Sequence, residues 1–166
     1  NKNDTQDLPN TINKYKFNYR NHSENLSFFQ DNNFDGVIHL ATCYIKNHTP
    51  NDIDPLIHSN IIFSSKLIEC SVQANVKWFL NTGTVFQNLN NKNYSPFNLY
   101  SATKEAFENI AKFYYERDMI RFCTLRLSDT FGTNDKRPKL INLLIDSLKN
   151  KSELILNSSP SQTINI

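Results

Sequence analysis

Glycine is scarce in this chain. Only Gly36, Gly83 and Gly132 occur among its 166 residues, so no G-x-x-G-x-x-G phosphate loop exists within it. Cysteine is also sparse: Cys43, Cys70 and Cys123 are odd in number and widely spaced, with no C-x-x-C pair. That excludes a cysteine metal centre or redox couple and reads as reduced, mostly buried thiols of a cytosolic protein. A charge excess of one sign is missing too, since 18 basic and 16 acidic side chains leave a formal charge of +2. Such balance gives no electrostatic case for nucleic acid or an anionic membrane. No apolar run approaches the roughly 18 residues of a membrane span, and no secretory leader is visible. His39, His48 and His58 are not spaced as a metal set, and no G-x-S-x-G elbow announces a serine nucleophile.

The sequence does hold enough to build one domain. Apolar residues make up 39% and charged residues 20%, ordinary values for a chain that buries a real core. Residues 1–13 read as loop. Lys14–Tyr19 alternates like a short strand, and Ser23–Gln30 suits a short helix with Ser23 as N-cap. Val37–Ala41 is an apolar, partly β-branched run, as expected of a strand buried in a parallel sheet. A helix is expected from about Asp54, with Asp54 as cap and Pro55 in its first turn. Its apolar residues spread around much of the barrel, so it needs cover on more than one side. A second buried strand ends near Asn81, and Ser95–Pro96 opens a helix that runs to Asp118. Arg121–Ser128 is a third strand, Pro138–Lys149 a helix and Glu153–Asn157 a short strand. Strands alternating with helices imply an α/β fold with a doubly wound parallel sheet. Ligands of such sheets sit beyond the carboxyl ends of the strands, which points to Ala41–Thr42, Asn81–Thr84 and Leu127–Thr130.

One of these ends faces a distinctive pair. Tyr100 and Lys104 stand four apart on the helix that follows the second strand, so they share a face, with Cβ atoms about 6 Å apart. A phenol titrates near 10. Lowering it by about three units takes roughly 4 kcal/mol, and an ammonium about 4 Å away at an effective dielectric near 20 supplies about that much. The pair is therefore a sensible proton donor with its tuning cation. The spacing alone fits a solvated surface pair equally well; its position near the sheet edge, with Thr82 just past a strand, favours chemistry. His39, inside a strand, reads as a satisfied core residue, and Arg137 and Lys139 as a solvated loop with the option of meeting a phosphate.

Five blocks in order, "HLAT", the helix carrying Asn60, "FLNTGTVF", "SPFNLYSATKEAFE" and "LRLSDTFGT", resemble the extended short-chain dehydrogenase/reductases, the nucleotide-sugar epimerase/dehydratase family. They look closest to its reductases and epimerases of the CDP-abequose synthase type. The resemblance implies a Rossmann-like fold, NAD or NADP as cofactor, and a nucleotide-sugar substrate. Tyr100 would be the acid–base residue. Lys104 would bind the nicotinamide ribose and depress the phenol's pKa, and Thr82 would orient the reacting oxygen. Leu40, Ala41 and Thr42 would line the cofactor, Asn60 would fix the active-site backbone, and Leu127 and Ser128 would lie near the carboxamide. Thr84, Asp129 and Arg137 would meet substrate. No metal is implied. The helices starting near Asp54 and Pro96 would pair two copies into a homodimer. The alternative is a non-catalytic dinucleotide-binding module that senses redox state or a partner.

The pattern departs from the family in places. Without a glycine-rich loop, and stopping at "SQTINI", the chain is expected to be truncated at both ends. Residues 1–136 would be a partial dinucleotide-binding domain and residues 137–166 the start of the substrate-binding region. Gly83 and Thr84 follow Thr82 where the family's dehydratases carry Asp-Glu, so no carboxylate is set for removing water. Asp129 stands where the family often has asparagine. The 166-residue polypeptide alone is predicted to bind cofactor weakly and turn over nothing, because the backbone N–H cradle for the pyrophosphate is missing. A calorimetric titration with NAD or NADP checks this, and micromolar binding would contradict it.

Overall fold

A computed structural model of the chain describes residues 13–128, 130 and 139–155. Its helix starts are set by asparagine and threonine caps at positions the sequence assigned elsewhere. Helix α1, His22–Asn32, begins at Asn21, whose side-chain oxygen accepts the Glu24 N–H, and not at Ser23. The long helical stretch begins at Thr49, whose N–H and hydroxyl both reach the Asp52 carboxylate at 2.7 Å; Asp54 lies inside it. A short 3₁₀ turn, Pro50–Asp52, leads into α2, Ile53–Ile57, then a π-helical segment, His58–Phe63, then α3, Ser64–Gln73. Helix α4, Leu99–Tyr115, starts three residues later than Pro96 because Asn98 forms a capping box with Ser101. An asparagine side chain pairing with the first free N–H groups stabilises a start by about 1 kcal/mol, which locates the starts of α1 and α4.

The π-helical segment explains the broad apolar belt. Leu56, Asn60, Ser64 and Ile68 are all buried at four-residue spacing. In an α-helix each four-residue step drifts by about 40°. A π turn, with its i→i+5 bonds, fits more residues into a turn and winds that drift back. One face is thus kept inward across two helices.

Strands β1 (Gly36–His39), β2 (Trp78–Thr84) and β3 (Arg121–Leu127) form a parallel 3-stranded sheet in the order β1-β2-β3. β2 runs past Asn81 to Thr84 because β3 continues beside it, Thr82 against Leu125 and Thr84 against Leu127. The fold is the expected Rossmann-like α/β arrangement. Val37, Phe79 and Phe122 face α3 and α4 and join Phe29, Ile68, Val76, Phe107, Ala111 and Ile120 in the core. The alternate residues form an open face, where Ile38 is 57% and Leu125 51% exposed. Gly36 lets the Trp78 ring lie flat there, since a Cβ at 36 would fall 1.9 Å from it. Helix α5, Leu140–Asn150, turns Leu143, Leu144, Ile145 and Leu148 to the surface.

Three expectations change. Lys14–Tyr19 is not a strand: Asn25 takes up the Asn18 N–H and carbonyl and the Tyr15 hydroxyl, while the Tyr15 ring stacks on Phe28 at 3.7 Å. Residues 153–155 are not a strand either, as no ladder forms beside them among the described residues. Cys70 is buried and Cys43 half-buried, but Cys123 is exposed, because its place in β3 turns it to the open face. Left-handed backbone falls on Asn33, Asn75, Asn90, Tyr94, Asp118 and Lys151; the four Asn and Asp residues have short polar side chains that tolerate it where glycine is usual. Gly132 lies outside the described residues.

Phe107 is fully buried against His39, Phe79 and Phe122. Phe107→Ala is expected to cost about 3–5 kcal/mol of folding stability, measured by urea unfolding.

Candidate active site

The site is assembled at the carboxyl ends of the strands, where the loop after β1 meets the first turns of α4. Asn60 makes the joint. Its Oδ1 accepts the Cys43 N–H at 2.8 Å and the Thr42 hydroxyl at 3.1 Å. Its Nδ2 donates to the Cys43 carbonyl and to Thr103 Oγ1, both at 2.9 Å. Thr103 in turn donates to the Tyr100 carbonyl at 2.7 Å. A buried amide with every donor and acceptor used is expensive to disturb. It welds residues 42–43 to the helix turn that carries Tyr100. The α4 cap adds a second tie, from Asn98 Nδ2 to the Lys46 carbonyl at 3.3 Å.

Tyr100 is half-buried, with the Tyr44 ring edge-on to it at 4.9 Å. Burial pushes the phenol above its ordinary value, the Thr42 hydroxyl beside it pulls the other way, and Tyr44 adds a small upward push. The phenol is therefore protonated at neutral pH and not depressed as the sequence suggested, because desolvation outweighs the pull of the Thr42 hydroxyl. Lys104 is 2% exposed, and no hydrogen bond or ion pair joins its ammonium to a described residue. Burial lowers it to about 8. His39 lies close enough to feel that charge, and burial with this charge lowers it to about 4, so it is neutral. Its Nε2 meets Ser64 Oγ at 2.8 Å, the satisfied core histidine expected.

The remaining expected residues are spread over the same edge. Thr82 donates its hydroxyl to the His39 carbonyl at 3.0 Å, across from β1. Leu40 is 65% exposed at the end of β1, Ala41 is exposed, and Thr42 is half-buried. Leu127 closes β3 in register with Thr84, and Ser128 follows it. Thr84 is buried and its hydroxyl accepts the Phe86 N–H at 3.3 Å, so it serves the chain turn. Lys139 spends its ammonium on the Thr130 carbonyl. Asp129 and Arg137 lie outside the described residues. Sequence reasoning missed Thr103 and Tyr44, although Thr103 stands one residue before Lys104 and Tyr44 two after Thr42. Among the described residues no three or more His, Cys, Asp or Glu gather as a metal would need, and no helix is long and apolar enough to cross a membrane.

Lys104 sets a pH dependence. The folded state holds its amine near 8 against an unfolded value near 10.5. Between those values the unfolded chain binds more protons, so this group's penalty on folding is full below about pH 8 and fades as pH rises. Lys104→Met is accordingly predicted to raise stability at pH 7, with the gain shrinking between about pH 8 and about pH 10.5. Urea unfolding across that range checks the sign.

The NAD dependent epimerase/dehydratase family model matches residues 1–163. The CDP-abequose synthase of Salmonella muenchen is 30% identical over 123 residues, covering 74% of this chain and 41% of that protein. That of Salmonella typhimurium is 31% identical over 120 residues, covering 72% and 39%. The chain thus spans about two fifths of the length of the curated relatives it matches. Among solved structures, the UDP-glucose 4-epimerase of Thermus thermophilus, in complex with NAD, superposes with TM-score 0.71 at 16% identity, over 89% of this chain and 51% of that one. The UDP-N-acetylglucosamine 4-epimerase of Methanobrevibacter ruminantium, in complex with UDP-N-acetylmuramic acid, gives 0.66 at 21% identity, over 84% and 48%. With the family model matching nearly the whole chain, this protein belongs to the NAD dependent epimerase/dehydratase family.

Proposed function

We propose that the protein is an NAD-dependent enzyme acting at a ring carbon of a nucleotide-activated sugar, as a reductase or an epimerase. Lys104 carries the reading. An ammonium whose burial opposes folding sits one helical turn from a half-buried phenol, with no hydrogen bond to a described residue. A core position gains nothing from such a group; a ribose hydroxyl needs it. The donor set fits the cofactor: Lys104 for the nicotinamide ribose, and Leu40, Ala41 and Thr42 along the end of β1. Leu127 and Ser128 at the end of β3 suit the carboxamide. When bound, NAD supplies the acceptor or donor of a hydride.

The chain's own residues handle the proton. Tyr100, protonated at neutral pH, delivers a proton to a forming alkoxide or, as phenolate, removes one from a hydroxyl. Lys104 stabilises the phenolate once it forms, which matters most when substrate has excluded water. Thr82 exchanges its His39 carbonyl partner for the same substrate oxygen and fixes its direction. Gly83 and Thr84 offer no carboxylate, so the assignment excludes elimination of water. Asp129 and Arg137 belong to the substrate end of this proposal. Pairing of two copies through α2–α3 and α4 is part of it as well: Ile53, Phe113 and Tyr115 are exposed on those helices.

Tyr100→Phe, made in the protein as its gene encodes it, tests the assignment. Turnover of UDP-, CDP- or dTDP-linked sugars is expected to fall by about 10²–10⁴ while NAD binding, followed by nicotinamide fluorescence, is retained. Unchanged turnover would remove Tyr100 from catalysis. NAD binding with no turnover by the unaltered protein would favour a sensor.

A further inference from the structure

Behind the site lies a polar cluster that the chemistry above does not use. Gln87 is fully buried at the end of the turn that follows β2. Its Oε1 accepts the Thr84 N–H at 2.8 Å. Its Nε2 donates to Glu105 Oε2 at 2.7 Å and to Glu108 Oε2 at 3.0 Å, both on α4. Arg126 of β3 closes the cluster, 3.2 Å from both Glu108 oxygens and 3.5 Å from Glu105. Two carboxylates three apart on one helix repel each other. Here one amide and one guanidinium hold them together, with the Glu105 and Glu108 side chains only 9% and 13% exposed.

The position of this amide matters for the site. Gly83, next to Thr82, is the residue that makes room for it: a Cβ there would lie 2.6 Å from Gln87 Oε1 and 2.8 Å from Thr124 Cγ2. Residues 86–89 pair by backbone with 95–97, which run straight into the Asn98 cap of α4. Gln87 therefore bolts the turn leaving Thr82 to the helix carrying Tyr100 and Lys104, at the residue after Lys104 and again one turn beyond it. Asn60 fixes the near side of that helix and Gln87 its far side.

We infer that Gln87 is a positioning residue for the Thr82–Tyr100–Lys104 set: its side-chain amide, spanning the Thr84 N–H and the Glu105 and Glu108 carboxylates, sets the offset between Thr82 and α4. The inference rests on the proposed function, and its test separates the two. Gln87→Leu keeps the bulk and removes all three bonds. Gln87→Glu keeps the shape but sets a third carboxylate against Glu105 and Glu108, with Arg126 the one cation facing it among the described residues. Misplacing reacting groups by about 1 Å costs on the order of 10²-fold in rate.

The expected result for Gln87→Leu is a kcat about 10- to 100-fold lower with KM for the sugar nucleotide little changed, together with faster hydrogen exchange at the Thr84 and Phe86 amides. For Gln87→Glu, kcat relative to the unaltered protein is expected to recover as pH falls from about 8 to about 6, since a neutral carboxyl again donates to Glu105 and accepts from Thr84. Should Gln87→Leu not fold, this recovery decides alone. An unchanged kcat with unchanged exchange, or a pH-independent kcat ratio for Gln87→Glu with only stability altered, overturns the inference. If Tyr100→Phe is itself without effect on turnover, the functional reading has failed instead.

Discussion

One buried amide governs how this structure is put together at its working edge. Asn60 has no unused donor or acceptor, and its partners belong to two segments far apart in the chain: the loop after β1 and the second turn of α4. Remove it and the half-buried Cys43 loses the Asn60 partner of both its N–H and its carbonyl, hydrogen bonds worth about 1 kcal/mol each. The exposed Leu40 and Ala41, the half-buried Thr42 and the Tyr100 phenol hold their relative places because this joint does. The chemistry assigned to Tyr100 and Lys104 is thus subordinate to a residue that touches neither reacting group.

Around that joint the molecule spends stability on charge and polarity. A lysine pulled down to about 8 and a histidine pulled down to about 4 share the layer beneath α4. His39, Asn81 and Thr124 lie in register across the sheet, where an ordinary core would carry aliphatic side chains. Phe79, Phe107 and Phe122, one layer deeper, supply the apolar contact that offsets this. The division is positional: aromatic packing toward the amino ends of the strands, polar groups toward their carboxyl ends, as the ligand side of a parallel sheet requires.

Much of this was legible from residue patterns. Apolar runs located the three strands, and the Tyr100–Lys104 spacing marked the pair on which the proposed function rests. Helix boundaries differ because serine and aspartate are plausible caps by type, while the Asn21 and Asn98 side chains accept the first backbone N–H groups and Thr49 is held by the Asp52 carboxylate. Lys14–Tyr19 alternated like a strand, yet its neighbour was the Asn25 side chain and not another strand. The phenol's acidity was misjudged because spacing reports proximity of charge but not loss of water, and water loss dominates at Tyr100. Thr103 escaped notice because its role exists only once Asn60 lies across from it. Gln87 left no signature, since a glutamine in a polar loop looks the same whether it is buried or solvated.

The π-helical segment carries a consequence for how this site can change over time. Substitutions between His58 and Phe63 alter side chains but leave the extra winding in place. Loss of a single residue there would restore regular α-helix and keep Ile53–Gln73 continuous with its two flanks in phase, because the π segment fits more residues into the same rotation. Residues inside the segment, Asn60 among them, would instead shift relative to Cys43 and Thr103. The alignment of loop and helix is written in chain length as much as in residue identity, so a gap of one position there in a homologue would displace the Asn60 joint while α2 and α3 kept their faces.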